Sequence, residues 1–445
     1  MKTSRLIIVI LFALCLMPVQ AQDEARLSER TILGTARYVG MCGAMTAIGG
    51  DPSSVLDNPA GLGLYRRSEV LFTLGGAFDR AVQRSTGCYD RRNAFIIPHA
   101  SVVFSVPTSR EENDGIQYNN FMLSYNRLQA YGRNYFATDV NSNSLGGLLA
   151  DVGADLGIPY CTEPTNASNS LQIRESGYVN EFAVDWALNI ANQWYLGLGL
   201  HVQSYILSSD ALYQETFATK NAEGENYLTR NASTLLMSGA GCNFAVGLIY
   251  RPLSWLRLGI GLRTPTLGRY NTYTTGTLYA RTDSMRTSSA PNGVDPRRSI
   301  HMPLQTSASV AFQIGAYSMI ALQYNYSHAS FQDDIHSLRA GVEVVPILGF
   351  YINAGYAYES TFKPTNRIYA IDSTFDRQDT YFLWPRSTQY ASVALGYRGT
   401  YVIAQVAYQY RWQGLNLYAH EQATAYNINT DTHRIVFTLG WHQGL

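Results

Sequence analysis

What most constrains this chain is a strict alternation of apolar with polar or small residues, repeated in short stretches. Trp194, Leu196, Leu198, Leu200 and Val202 alternate with Tyr195, Gly197, Gly199, His201 and Gln203. Phe182, Val184, Trp186, Leu188 and Ile190 alternate with Glu181, Ala183, Asp185, Ala187 and Asn189. Near the end, Ile435, Phe437, Leu439 and Trp441 are set against Arg434, Val436, Thr438 and Gly440. Period two puts one set on one face of a strand. A membrane-crossing helix needs about twenty consecutive apolar residues. Nothing after the N-terminal signal approaches that, so a helical membrane protein is excluded. Two folds remain. In a secreted β-sandwich the apolar face points inward. In a membrane β-barrel it points to lipid, and the charged set lines the lumen.

Strand ends and export decide between them. Trp186, Trp194, Trp255, Tyr410, Trp412 and Trp441 fall at expected strand ends, where a barrel carries its aromatic girdle. The 32 Tyr and 37 Gly, at a mean hydropathy of −0.11, fit strands with only one apolar face. Residues 1–21 read as a secretory signal peptide: Lys2 and Arg5, an apolar stretch from Leu6 to Met17, then Val19 and Ala21 at the −3 and −1 positions. The mature chain is expected to begin near Gln22. Losing Lys2 and Arg5 takes the formal net charge from zero to −2, which gives no excess for nucleic acid. The reading is an all-β transmembrane antiparallel barrel in a bacterial outer membrane, in contact with outer-membrane lipid and lipopolysaccharide.

About fourteen strands are expected, near 68–79, 94–107, 116–131, 178–191, 193–208, 235–251, 255–280, 299–314, 317–328, 336–346, 350–360, 387–398, 401–413 and 432–443. An even number brings both ends of the barrel to one side. Connections alternate between short ones, such as Ala191-Asn192-Gln193 and Gly399-Thr400, and mostly long ones near 80–93, 132–177, 209–234, 281–298, 361–386 and 414–431. Short periplasmic turns and long outer loops are the barrel pattern.

Ahead of the strands lies a different kind of sequence. Gly43 to Leu62 is rich in Gly and small residues, carries Asp51, and ends in Asn58-Pro59-Ala60-Gly61. Its prolines and glycines exclude a regular strand and predict compact, turn-rich backbone. Residues 22–66 are therefore set apart from the barrel of residues 67–445.

The run from Asp51 to Gly61 resembles the N-terminal signature of the FadL/TodX family, outer-membrane channels for long-chain fatty acids and other hydrophobic compounds. The resemblance implies that residues 22–66 fold into the lumen as a hatch. It also implies that a kinked third strand opens a lateral hole toward lipid. The expected third strand has no internal Gly or Pro between Gln117 and Tyr131, so Pro98 on the second strand is the better candidate for a local opening. In that family, outer-loop helices form a hydrophobic capture groove. Here Leu145, Leu148, Leu149, Val152 and Leu156 fall on one face of a helix in the 132–177 loop. They are the candidate substrate-binding residues, with a structural lid over the barrel mouth as the other reading.

No G-x-S-x-G, H-E-x-x-H, C-x-x-C or phosphate loop is present, so no enzyme, metal or cofactor is expected. Cys88 and Cys161 fall in the first two long loops on the same side, and an exported compartment permits a disulfide between them. The function expected is passive uptake of hydrophobic small molecules, fatty-acid-like or aromatic. A barrel-type shuttle or anchor in a secretion system, and a general porin for polar solutes, are the alternatives.

Overall fold

The computed structural model describes residues 21–108, 115–140, 168–220, 224–281, 286–289, 292–315, 317–361, 381–420 and 423–443. The strands form one closed antiparallel sheet of fourteen. They are β1 Glu69–Gln83, β2 Tyr89–Pro107, β3 Ile116–Ala130 continued by Arg133–Val140, β4 Ser168–Ile190, β5 Trp194–Lys220 and β6 Asn226–Leu253. Next come β7 Leu256–Arg263 continued by Leu267–Arg281, and β8, made of Arg286–Ser289, Asn292–His301 and Leu304–Ile314. The rest are β9 Ser318–His328, β10 Ile335–Ile347, β11 Phe350–Glu359, β12 Phe382–Arg398, β13 Val402–Tyr418 and β14 Tyr426–His442. Closure is made by β14 on β1, in register from Glu69↔His442 to Gln83↔Ile428. A closed ring leaves no edge whose backbone groups lack partners in lipid.

The alternation falls as the sequence predicts for a barrel. Phe182 and Val184 are 57% and 54% exposed on the outside, while Ala183 and Asp185 are buried inside. The same holds around the ring for Phe72, Phe121, Leu198, Phe244, Ile260 and Phe437, all exposed. A soluble sandwich would bury these side chains.

Each expected strand has its counterpart, but the outer ends differ. The stretches near 80–93, 209–234 and 414–431 are largely strand rather than loop. β5 runs to Lys220 and β6 begins at Asn226. Their outward residues there include Ser208, Asp210, Gln214, Arg230 and Thr234, while Leu207, Tyr213 and Leu235 are buried inside, so the apolar-outward contrast that marks a lipid-facing strand is lost. Pro303 lies in the break of β8 between His301 and Leu304, beside the break of β7, where Met302 N–H donates to Thr266 O (3.0 Å).

Residues 23–66 are mostly buried and contact inward residues of strands all around the ring. Met41, Met45 and Ile48 cluster with Ala311, Ala321, Ala357 and Tyr390. Leu27 clusters with Tyr205, Leu207, Met237 and Tyr270. Val55 and Leu62 cluster with Val103, Met122 and Ala187. The segment descends from the helix Ala21–Ser28, whose Ala25 packs on Ala329 and Phe331 of the β9–β10 connection, to Leu64 beside Tyr195 at the β4–β5 turn.

Candidate functional site

The site is built from the N-terminal segment, the wall it touches and a fault in that wall. Within the segment, short polar side chains cap short helices. Thr35 caps Ala36–Gly40, and Asp51 caps the 3-10 turn Pro52–Leu56 by accepting from Ser53 N (2.9 Å). Asn58 caps Pro59–Leu64 by accepting from Ala60 N (3.0 Å). In each 3-10 turn Pro follows the cap, where its missing N–H costs nothing. Thr35 Oγ1 donates to the Asp51 carboxylate (2.8 Å), and Asn58 Nδ2 donates to Thr46 O (2.8 Å) and to Leu248 O of β6 (3.2 Å). Gly49 and Gly50 have φ of 59° and 64°, left-handed backbone that favours glycine. Gly50 N donates to Gly61 O (3.0 Å), which closes the stretch on itself.

The wall is cut to receive this segment. A Cβ at Gly247 would stand 1.8 Å from Asn58 Oδ1, one at Gly197 2.3 Å from Ala60 N, and one at Gly261 2.0 Å from Asp57 O. These inward glycines occupy the small positions of alternating stretches. They were visible in the sequence, but their purpose was not.

Charge fastens the two parts. Arg37 is bidentate on Glu343 of β10 (2.6 and 2.8 Å), and Arg339 pairs with Asp57 (3.0 Å). Arg26 pairs with Glu175 of β4 (2.6 Å), and Glu29 accepts from Arg133 of β3 (3.0 and 2.7 Å). Arg257 Nη1 donates to Ile48 O (3.0 Å). His201 is buried beside Asp185 (3.1 Å) and Glu181 (3.7 Å), a polar contact of the inner wall. In the outer turn under Phe331, hydrogen bonds from His328 and then Tyr326 hold the Asp334 carboxyl below its usual range.

The fault lies between β2 and β3. Their ladder runs from Pro107↔Tyr118 to His99↔Asn126 and stops there, while β2 continues to Tyr89 paired with β1. At the stopping point β2 bulges. Thr73 faces His99 and Gly75 faces Ile96, so Ile97 and the buried Pro98 are the bulged pair. Beyond Asn126, β3 pairs with β4, with a register shift between Arg127 and Gln129 and a break at Tyr131-Gly132. Its continuation leans inward. Tyr135 and Ala137 are buried among Ala81, Leu415, Leu417 and Ile428, and Thr138 N donates to Gln83 Oε1 (2.8 Å). Across the vacated position, Arg92 of β2 reaches Glu175 O of β4 (2.7 Å). The expected third strand, 116–131, is matched by the unbroken Ile116–Ala130; the break falls just past it, at Tyr131-Gly132, and the inward turn of the continuation is driven by burial of Tyr135.

Two cavities flank the segment. One is small, lies behind the fault and is lined by Leu33, Ala94, Ile96 and Gly132 together with Asp79, Arg133, Arg411 and Arg434. The other is larger and lies toward β8–β11, with Arg30, Asp57, Gln305, Asn325, Arg339 and Glu359 on its walls. Arg30 donates to Gln305 and has no carboxylate within ion-pair distance among the described residues.

Leu145, Leu148, Leu149, Val152 and Leu156 lie outside the described residues, as does Cys161. Cys88 carries a free thiol, its Sγ 3.8 Å from Thr138 Oγ1. Among the described residues no His, Cys, Asp or Glu group is placed to hold a metal.

No family model matches the sequence, and no curated protein does. Solved structures do. A FadL homologue of Pseudomonas aeruginosa superposes with a TM-score of 0.57 at 11% identity, covering 93% of this chain and 99% of that one. The toluene transporter TodX of Pseudomonas putida gives 0.55 at 10% identity, covering 94% and 100%. The toluene transporter TbuX of Ralstonia pickettii gives 0.53 at 13% identity, covering 93% and 99%. At these identities the likeness speaks to architecture, and on it the chain has the FadL/TodX-type channel fold.

Proposed function

We propose that this chain is an outer-membrane channel for passive uptake of hydrophobic small molecules. The observation that carries the reading is the coincidence of three features at one place. The β2–β3 ladder stops, a small cavity lies behind it, and residues 23–66 pack against inward residues of the wall beside it. A segment packed against the inner wall opposes free flow of polar solutes, and an interrupted wall offers an apolar solute a sideways path into lipid. Residues 22–66 act as the hatch, with Asp51, Asn58, Pro59, Ala60 and Gly61 as its fixed fold, and Pro98 marks the wall opening. The leucine stripe from Leu145 to Leu156 supplies capture at the outer mouth.

Arg30 favours a ligand with an acidic end over a bare hydrocarbon: Asp57 and Glu359 share the cavity walls but neither pairs with it within 4.0 Å among the described residues, so its guanidinium can offer a ligand carboxylate a charge-assisted bond. The test is uptake into vesicles and cells of a labelled panel of fatty acid, aromatic hydrocarbon and sugar. Passage of the sugar alone would overturn the reading in favour of a porin.

A further inference from the structure

The outer half of the β1–β2 hairpin carries an arrangement that the channel reading does not use. Arg80 and Arg91 are direct partners across the ladder, and both are exposed on the outer face of the sheet. Like charges set opposite each other destabilise a sheet. Nearby carboxylates do not relieve the pair. Asp90 accepts from the Arg91 backbone N–H (2.7 Å), and Asp431, the partner of Arg80 on β14, accepts from Tyr410 OH (2.8 Å). Neither arginine has an ion pair within 4.0 Å among the described residues. Instead both guanidinium groups lie on the ring of Tyr89, at 5.3 and 5.1 Å from its centre. That stacking gathers two planar donor forks at one ring.

Their height is informative. On the same face, Phe78 is two residues below Arg80, and Phe95, 72% exposed, is four below Arg91 and opposite Gly76. The arginines therefore sit just above the apolar belt, where lipid chains end and headgroups begin. We propose that Arg80, Arg91 and Tyr89 form a binding site for the phosphate of an outer-leaflet glycolipid, lipopolysaccharide being the source, with its acyl chains along Phe78 and Phe95. Guanidinium forks match phosphate oxygens two by two, and a phosphate between them removes the like-charge conflict.

The inference rests on the outer-membrane reading. The test uses the full chain, wild type and R80Q/R91Q, extracted from membranes after fractionation and titrated with deep-rough lipopolysaccharide, its dephosphorylated form or inorganic phosphate, read by native mass spectrometry. Wild type should prefer the phosphorylated glycolipid by about tenfold, and the double variant should lose that preference while keeping the heat-modifiable mobility of a folded barrel. Inorganic phosphate should not compete at equal concentration. Equal binding by wild type and variant, no phosphate preference, or competition by the free ion would overturn the lipid site and leave the channel standing. Fractionation of wild type away from the outer membrane would overturn both.

Discussion

Arg133 and Glu29 form a two-point ion pair, Nη1 to Oε1 at 3.0 Å and Nη2 to Oε2 at 2.7 Å, that ties the departing third strand to the N-terminal segment. Arg133 also lies 3.3 Å from Glu175, and Arg411 lies 3.4 Å from Glu29. The strand's inward course and the segment's position are therefore held by one buried network. Without the Glu29 charge, Arg133 keeps Glu175 but Arg411 has no carboxylate within 4.0 Å among the described residues, and breaking a buried pair costs about 3–5 kcal/mol. Glu29→Gln should lower the unfolding temperature in detergent. It should also speed amide exchange in 133–140 far more than in 194–203. Equal exchange in both stretches would mean that the pair does not position the strand.

The wall glycines give a second expectation. Gly247→Ala places a methyl group 1.8 Å from where Asn58 Oδ1 now stands, so the segment must shift away from β6. Overpacking of this kind costs about 1–3 kcal/mol, which a barrel of this ladder length should survive. Conductance in planar bilayers should rise. Gly76→Ala, whose Cβ would meet the Phe78 ring at an ordinary 3.5 Å, should not change it.

The course of β3 can be tested covalently. A Cβ on Gly132 would lie 3.7 Å from the Cβ of Ala94, within the Cβ separation of a disulfide. In a background without other cysteines, A94C/G132C should oxidise on export and run faster on a non-reducing gel. Free thiols in both positions would place β3 elsewhere.

How much of this was legible beforehand follows from what surrounds each residue. Phe182, Val184, Leu198 and Leu200 announce strand and facing because lipid demands an apolar face. Ser208, Asp210 and Arg230 stand higher, where the outer face is polar, and so read as loop. The caps Asp51 and Asn58, each followed by Pro, were readable as turns from local chemistry. The inward turn of β3 was not, because Tyr135 and Ala137 bury against residues more than thirty positions away in sequence. The Arg37–Glu343 and Arg133–Glu29 pairs likewise join segments that no local pattern connects.

Arg30 bears on ligand class. If it receives an acidic end, Arg30→Gln should weaken binding of a long-chain carboxylate by about tenfold, the worth of roughly 1.4 kcal/mol. The matching alcohol should bind as before. An equal loss for both would make Arg30 a packing residue.

On the proposed function, an apolar solute leaves through the wall beside Gly132. A Cβ at Gly132 would make only ordinary van der Waals contacts, with Ala94 Cβ at 3.7 Å and Arg92 Nε at 3.8 Å, so a larger side chain there occupies the small space between Leu33, Ala94 and Ile96. The measurement is protein-dependent accumulation of labelled long-chain fatty acid in cells lacking another such channel, for wild type and Gly132→Phe. Both should be present as folded, heat-modifiable barrels. The account predicts that wild type carries the fatty acid and not a sugar, and that Gly132→Phe cuts the rate at least about tenfold, a barrier increase of roughly 1.4 kcal/mol. Undiminished fatty-acid uptake by the folded variant would contradict it.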